Sequence, residues 1–328
     1  MKNKIIVIGA GSWGTALANL LAKNNFDICL IAKDEKVANE INLQKSNNNF
    51  LPKIVLSSSL KSATNLALEA ADADFIFIVT PSQVTSQLLI EISQLKLKDS
   101  VGLVLCTKGL HGDKLQLFHQ LIEEILPQKN YAILAGPNFA QEVANETPTI
   151  TTIASRNKNF AQEVAGLLRN KYFKAEISTE VVAAEVCSII KNIMAIGCGI
   201  VDGLSLGQNA KAALVMQGIS EIKILCEKFG SKAEIDNAAG FGDIFLTCAS
   251  NKSRNNSLGL MIAQGQKTSE LLSGDKTYEG AVGAQAIERL AAKLGLRLPL
   301  CRAINHILQN GFSVDEVRLQ IVDAIVSA

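Results

Sequence analysis

The stretch that decides the fold is residues 5–15, Ile5-Ile6-Val7-Ile8-Gly9-Ala10-Gly11-Ser12-Trp13-Gly14-Thr15. Four consecutive β-branched apolar residues, Ile5 to Ile8, read as a strand buried on both faces. Gly9, Gly11 and Gly14 follow in G-x-G-x-x-G spacing. From Trp13 onward the apolar residues Trp13, Ala16, Leu17, Leu20 and Leu21 fall on one helical face. The glycines therefore stand where a strand turns into a helix, the context that gives the pattern its meaning. The first glycine permits the tight turn, the second lets a pyrophosphate approach the main chain, and the third lets helix and strand pack closely. Unsatisfied N–H groups at the helix start face the phosphates. A ligand-free glycine turn would not need strand, spacing and helix together.

Outward from that stretch, strand and helix alternate. Asn24-Asn25 reads as a turn and Ile28–Ala32 as a second strand, with Lys33 and Asp34 at its end. An acid there suits the ribose hydroxyls of NADH, and a basic residue suits the 2′-phosphate of NADPH. Lys33 comes first, which favours NADPH, while an ordinary solvated lysine fits nearly as well. Ser46–Asn49 reads as a loop. Further strands are expected at Phe75–Val79, Val101–Cys106, Tyr131–Ala135 and Ile150–Ala154. Between them lie helical stripes such as Val84, Leu88, Ile92 and Leu95. This alternation argues for a parallel, doubly wound sheet. Ligands of such sheets sit beyond the carboxyl ends of the strands. That draws attention to Thr80-Pro81-Ser82, Thr107-Lys108-Gly109-Leu110 and Gly136-Pro137-Asn138-Phe139-Ala140, with Lys108 facing the cofactor crevice.

From about Glu180 the pattern becomes helix after helix. Helices are expected near Asn209–Phe229, Ala281–Leu294, Cys301–Leu308 and Val314–Val326. The expected architecture is an α/β, Rossmann-like doubly wound domain over residues 1–182, followed by an all-α domain over 183–328.

Composition excludes several classes. The chain has 328 residues, 48% of them hydrophobic, enough for two packed cores. Its 32 basic and 31 acidic residues leave a net charge of +1, with no basic run of the kind nucleic acid attracts. Seven cysteines, without C-x-x-C, read as reduced core thiols of a cytoplasmic protein. Three histidines at unrelated positions offer no metal spacing, so no metal is expected. The N-terminal Met-Lys-Asn-Lys runs directly into the first strand, so no signal peptide is expected.

Val181–Val201 carries only two charges, Glu185 and Lys191. A membrane span of about 20 apolar residues is the first alternative. It is rejected because Lys191 lies mid-segment, where a charge is costly in lipid, and because Gly197 and Gly199 would end the run early. A lysine on a buried helix must be paired, or its pKa falls. A lowered lysine suits proton transfer near neutral pH, and a structural lysine that snorkels to water is the plain alternative. The loop Gly240–Cys248 offers Asp243 as its partner. Beyond it, Asn251-Lys252-Ser253-Arg254-Asn255-Asn256 has the makings of an anion site. Arg254 can fork onto a phosphate, and Asn255 stands where it can cap the next helix.

Together these motifs resemble the bacterial-type NAD(P)-dependent glycerol-3-phosphate dehydrogenases, nearly end to end. The resemblance rests on Gly9–Leu17, Thr107–Leu110, Ala135–Val143, Glu185–Cys187 with Lys191–Gly197, Gly207–Leu214, Gly240–Cys248, Ser253–Asn255 and Glu279-Gly280. The glycine loop is widely shared; the lysine helix, Gly-x-Gly-Asp and Ser-Arg-Asn in this order are far more specific. The resemblance implies reversible reduction of dihydroxyacetone phosphate to sn-glycerol 3-phosphate, the backbone precursor of phospholipids, with NADP(H) or NAD(H). It implies that Gly9, Gly11, Ser12, Trp13, Gly14, Lys33, Lys108, Ala140, Arg254, Thr277 and Glu279 serve the cofactor. Lys108, Gly136, Asn138, Lys191, Asp243, Ser253, Arg254 and Asn255 would serve the substrate, with Lys191 as acid/base, oriented by Asp243 and assisted by Lys108. The partner implied is a small phosphorylated molecule, without nucleic acid or an integral membrane segment, and a homodimer is compatible. The chain departs from the bacterial pattern at Asn138, where a hydroxyl residue is usual, and at Met216-Gln217, where an arginine is usual. Two other readings compete: a 3-hydroxyacid dehydrogenase with a carboxylate in place of the phosphate, and a non-catalytic NADPH sensor with no need for Lys191, Asp243 and Lys108 together.

Overall fold

The computed structural model describes residues 3–112, 114–274 and 277–326. The chain begins β1 (Lys4–Ile8), α1 (Ser12–Lys23), β2 (Asp27–Ile31), α2 (Glu35–Gln44), β3 (Lys61–Ala63), α3 (Leu66–Ala70), β4 (Phe75–Ile78), α4 (Ser82–Gln94) and β5 (Gly102–Leu105). A short hairpin of β6 (Leu110–His111) and β7 (Gln116–Leu117) follows, then α5 (Phe118–Ile125), β8 (Tyr131–Ala135), α6 (Ala140–Ala144), β9 (Thr149–Ala154), α7 (Lys158–Leu168) and β10 (Phe173–Ser178). The remainder is helical: α8 (Val181–Gly203), α9 (Gln208–Lys228), a π-type turn Ala238–Gly242, α10 (Asp243–Ala249), α11 (Arg254–Ala263), α12 (Thr268–Leu272), α13 (Glu279–Leu294), α14 (Pro299–Asn310) and α15 (Val314–Val326).

Two compact units result. One holds the chain up to Thr107 together with Phe118–Val181; the other holds Lys108–Leu117 together with the chain from Val182 on.

The first unit is an eight-stranded sheet in the order β10-β9-β8-β5-β4-β1-β2-β3. Ile5, Ile6 and Val7 of β1 are fully buried, as an unbroken β-branched run between two helical layers requires. The sheet is parallel except at one place: β9 runs antiparallel to β8. Two strands of this sheet were not anticipated, and both lie at its edges. β3 has only three residues. β10 alternates buried Phe173 and Ala175 with exposed Lys174, because an edge strand leaves one side to water. In α4 the buried stripe is Ser82, Thr85, Leu89 and Ile92 rather than the expected one, and Val84 is exposed. Two central threonines, Thr85 and Thr107, are satisfied by hydrogen bonds to each other, and Thr107 also donates to the Thr80 carbonyl.

The second unit is built around α8. By length and hydropathy this helix would suffice to cross a membrane, yet its apolar window is wholly buried inside the protein. It continues through Gly197 and Gly199 instead of ending there. The glycines have another use. A Cβ on Gly199 would stand 2.0 Å from the Asn256 carbonyl oxygen, and one on Gly259 would stand 1.9 Å from the Ile196 carbonyl oxygen. The main chains of α8 and α11 are thus in near contact, which only glycine allows. Around them pack Ile193, Met194, Ile222, Leu258, Ile287 and Ile304, each such side chain contributing roughly 1.5–3 kcal/mol by leaving water. The hairpin β6–β7 is tied here through Leu110 and Leu117, which belong to this core. All seven cysteines are buried and unbridged.

Candidate functional site

The first unit supplies a phosphate cradle. Gly9 has φ +110°, and a Cβ there would meet the Val79 carbonyl oxygen at 2.4 Å. A Cβ on Gly14 would stand 1.8 Å from the Gly9 carbonyl oxygen. Gly11 is the opposite case, with nothing within 4 Å of its missing Cβ. The first and third glycines therefore close the turn, and the second leaves the room a pyrophosphate needs. Gly11 caps α1 without a side-chain hydrogen bond, and the first turn of α1 carries no acid. Its N–H groups and its dipole remain available to an anion. These features fit a dinucleotide.

The neighbouring pocket is lined by Ala10, Gly11, Ala32, Lys33, Asp34, Glu35, Val37, Asn49 and Phe50. Lys33 is exposed on its rim. Asp34 is committed elsewhere: its carboxylate caps α2 by accepting from the Lys36 N–H at 2.8 Å. The Ser12 hydroxyl donates to the Phe50 carbonyl, and Trp13 is half-buried against the core. Beyond β8, Gly136 takes φ +159° where a Cβ would press on Thr151. Asn138 donates to the Thr151 hydroxyl at 3.0 Å, and its buried Oδ1 has no partner among the described residues. Ala140 opens α6.

The second unit supplies a buried charge cluster. Lys191, on α8, donates from Nζ to Asp243 Oδ1 at 2.7 Å and to Thr247 Oγ1 at 3.0 Å. Thr247 in turn donates to Asp243 Oδ1 at 3.2 Å. Lys108 Nζ stands 3.8 Å from Asp243 Oδ2, an oxygen that is buried without a hydrogen-bond partner among the described residues. Burial lowers the Lys191 pKa to about 7; the Asp243 carboxylate opposes that shift and the Lys108 cation reinforces it.

Two local differences from the sequence reading bring these groups together. Gly240–Cys248 is a π-type turn leading into a helix rather than a loop, so Asp243 opens α10 and Thr247 stands one turn later on the same face. Lys108, just before the hairpin, goes with it into the helical unit and pairs with Asp243; the strand-end position pointed it toward the cofactor crevice, and the resemblance gave it the assisting role beside Lys191.

Next to the cluster, Asn192 Oδ1 accepts from Asn255 Nδ2 at 3.0 Å, and Asn255 Oδ1 accepts from the Gly280 N–H at 3.1 Å. The helix cap is Ser253, which accepts from the Asn256 N–H, and not Asn255. Asn256 is structural, donating to the Ala195 and Cys248 carbonyls. Arg254 begins α11 with an exposed guanidinium and no ion pair among the described residues. Thr277 is exposed, and Glu279 begins α13. Sequence reading missed Thr247 and Asn192. The first was signalled by its spacing of four from Asp243, the second by its place beside Lys191.

Comparison with known proteins matches both units. The model of the NAD-dependent glycerol-3-phosphate dehydrogenase N-terminus matches residues 4–161, and that of the C-terminus matches residues 180–318. The chain belongs to the NAD-dependent glycerol-3-phosphate dehydrogenase family. It is an oxidoreductase that works with NAD(H) or NADP(H). It is 37% identical over 313 residues to glycerol-3-phosphate dehydrogenase [NAD(P)+] of Geobacter metallireducens, covering 94% of this chain and 93% of that protein. The protein of that name from Parvibaculum lavamentivorans is 35% identical over 315 residues, with 95% and 94% covered. A crystal structure of glycerol-3-phosphate dehydrogenase from Coxiella burnetii superposes with a TM-score of 0.92 at 31% identity, over 98% of this chain and 99% of that one. The sheet of the first unit and the helices of the second are thus the family's architecture.

Proposed function

We propose that this family dehydrogenase reduces dihydroxyacetone phosphate reversibly to sn-glycerol 3-phosphate in the cytoplasm, supplying the glycerol backbone of phospholipids, with Lys191 as the proton donor. The observation that carries the reading is the buried Lys191–Asp243–Thr247 cluster with Lys108 beside it.

The Gly9–Gly14 turn, with Ser12, Trp13, Lys33, Ala140, Thr277 and Glu279, would hold the dinucleotide, which when bound would supply the hydride for the carbonyl carbon. Everything else is done by side chains. Arg254, at the start of α11, holds the substrate phosphate, helped by the helix N-terminus, the Ser253 hydroxyl and the second N–H of the Asn255 amide. Fixing the phosphate fixes the carbonyl, and positioning of this kind is worth several kcal/mol. Gly136 and Asn138 line the same substrate. As negative charge grows on the carbonyl oxygen, the Lys191 ammonium gives it a proton, and the neutral amine then recovers one from water. Asp243 and Thr247 aim the ammonium, and Lys108 adds positive potential where charge develops. In the oxidative direction neutral Lys191 takes the proton from the alcohol.

A pKa of about 7 places Lys191 where it can both give and take a proton near neutrality. Reduction needs the protonated form, so kcat for reduction declines as pH rises through that value, and kcat for oxidation rises. The test is to supply NADPH with dihydroxyacetone phosphate and with dihydroxyacetone, and NADP+ with sn-glycerol 3-phosphate and with small 3-hydroxyacids, following nicotinamide absorbance. Turnover confined to the phosphorylated pair supports the reading. Turnover of the hydroxyacids instead would replace it.

A further inference from the structure

Asn47 is an uncharged polar residue with no surface exposure at all, lying in a segment that the sequence presents only as a polar loop. Its amide makes two donations. One goes to the Ala10 carbonyl at 2.9 Å and the other to the Thr15 hydroxyl at 2.8 Å. Ala10 lies between the first two glycines of the phosphate turn, and Thr15 follows the third. The Asn47 main-chain carbonyl accepts from the Phe50 and Leu51 N–H groups at 3.2 and 2.7 Å, which closes residues 47–51 into a tight turn. That turn is fastened a second time where Ser12 donates to the Phe50 carbonyl. Asn49 and Phe50, so held, form one wall of the pocket whose other walls are Gly11 and Lys33.

We propose that Asn47 is a positioning residue for the dinucleotide, fixing the Gly9–Gly14 turn from behind and carrying the Asn49–Phe50 wall to the cofactor. The inference rests on the cofactor assignment above, and it assigns Asn47 no contact with the ligand. The physical need is clear. A glycine-rich turn is the segment with most conformations to lose, and its N–H groups bind phosphate well only if they already point the right way. A carbonyl in that turn, held by a buried amide, has one orientation. The amide is also the group for the task, because both acceptors lie in the interior and an acceptor left unpaired there would be costly. An aspartate of the same shape would present oxygen to the Ala10 carbonyl and place a negative charge behind a phosphate site.

The proposal separates cofactor binding from chemistry. Asn47→Ala is expected to raise the NADPH KM and the NADPH Kd about ten-fold, the size expected for losing two buried hydrogen bonds. kcat at saturating NADPH and the KM for dihydroxyacetone phosphate should stay within two-fold. Kd is read from the fluorescence of NADPH on the full-length protein, which needs no turnover. That readout tests Asn47 even if the substrate assignment fails. Thr15→Val, which removes one acceptor and keeps the shape, should raise Kd about three-fold and serves if the alanine variant does not fold. An unchanged Kd in either folded variant would overturn the proposal, as would a loss in kcat with no change in KM for NADPH.

Discussion

Replacing Asp243 by Asn isolates the charge that keeps Lys191 protonated. The exchange preserves the size of the side chain and its oxygen acceptor while removing the negative charge 2.7 Å from the lysine nitrogen. At an effective dielectric constant of about 20, a charge pair at that separation is worth ~6 kcal/mol. If water and the Thr247 hydroxyl recover half of it, about 3 kcal/mol of support for the ammonium is lost. At about 1.4 kcal/mol per tenfold change, the midpoint falls by roughly two pH units. Wild-type Lys191, with a pKa of about 7, is half protonated at pH 7. The variant would hold roughly 1% in that form, so kcat for reduction at pH 7 drops about 50-fold. Lys108, left without its counter-charge, pushes in the same direction. The assay is initial-rate NADPH oxidation from pH 5 to 9 at saturating dihydroxyacetone phosphate. The variant's activity should recover toward low pH, with its midpoint displaced downward. A variant with wild-type rate at pH 7, or with an unmoved midpoint, would show that Asp243 does not govern the protonation of Lys191.

Other substitutions address separate parts of the site. Lys191→Ala should lower kcat by ~10²–10⁴-fold, the usual cost of losing a proton-transfer group, with the NADPH Kd within about three-fold of wild type by fluorescence. Arg254→Ala should raise the KM for dihydroxyacetone phosphate by one to two orders of magnitude, about 1.5–3 kcal/mol for a charged hydrogen bond; steady-state kinetics showing an unchanged KM would remove Arg254 from the phosphate site. Gly259→Ala brings a Cβ to 1.9 Å from the Ile196 carbonyl oxygen, so denaturant melts should show a loss of ~1–3 kcal/mol or more.

Much of this was legible in the sequence because the deciding signals are local. A β-branched run followed by three spaced glycines dictates strand, turn and helix within residues 5–15. One lysine inside an apolar stretch announces a buried charge, since such a group demands a partner. The rest depends on tertiary context. β3 and β10 lie at sheet edges, where short length and a solvated side erase the apolar signature. The reversed direction of β9 leaves no trace in periodicity, which reads alternation and not polarity of the chain. The hairpin that delivers Lys108 to Asp243 is built from two-residue strands, too brief for any pattern. Gly199 read as a helix stop because a glycine in isolation weakens a helix; its use in the contact with α11 is visible only once Asn256 stands against it. Likewise Asn47 looked like one polar residue among several in Ser46–Asn49, and only burial distinguishes it.

The central claim is that this chain reduces a phosphorylated ketone with a nicotinamide hydride and a lysine proton. The most direct measurement is to mix the purified protein with NADPH and dihydroxyacetone phosphate and follow the loss of reduced-nicotinamide absorbance, with unphosphorylated dihydroxyacetone in parallel. Rapid loss with the phosphate ester and little without it is the predicted result. NADPH that binds but is not consumed with either ketone would contradict the claim.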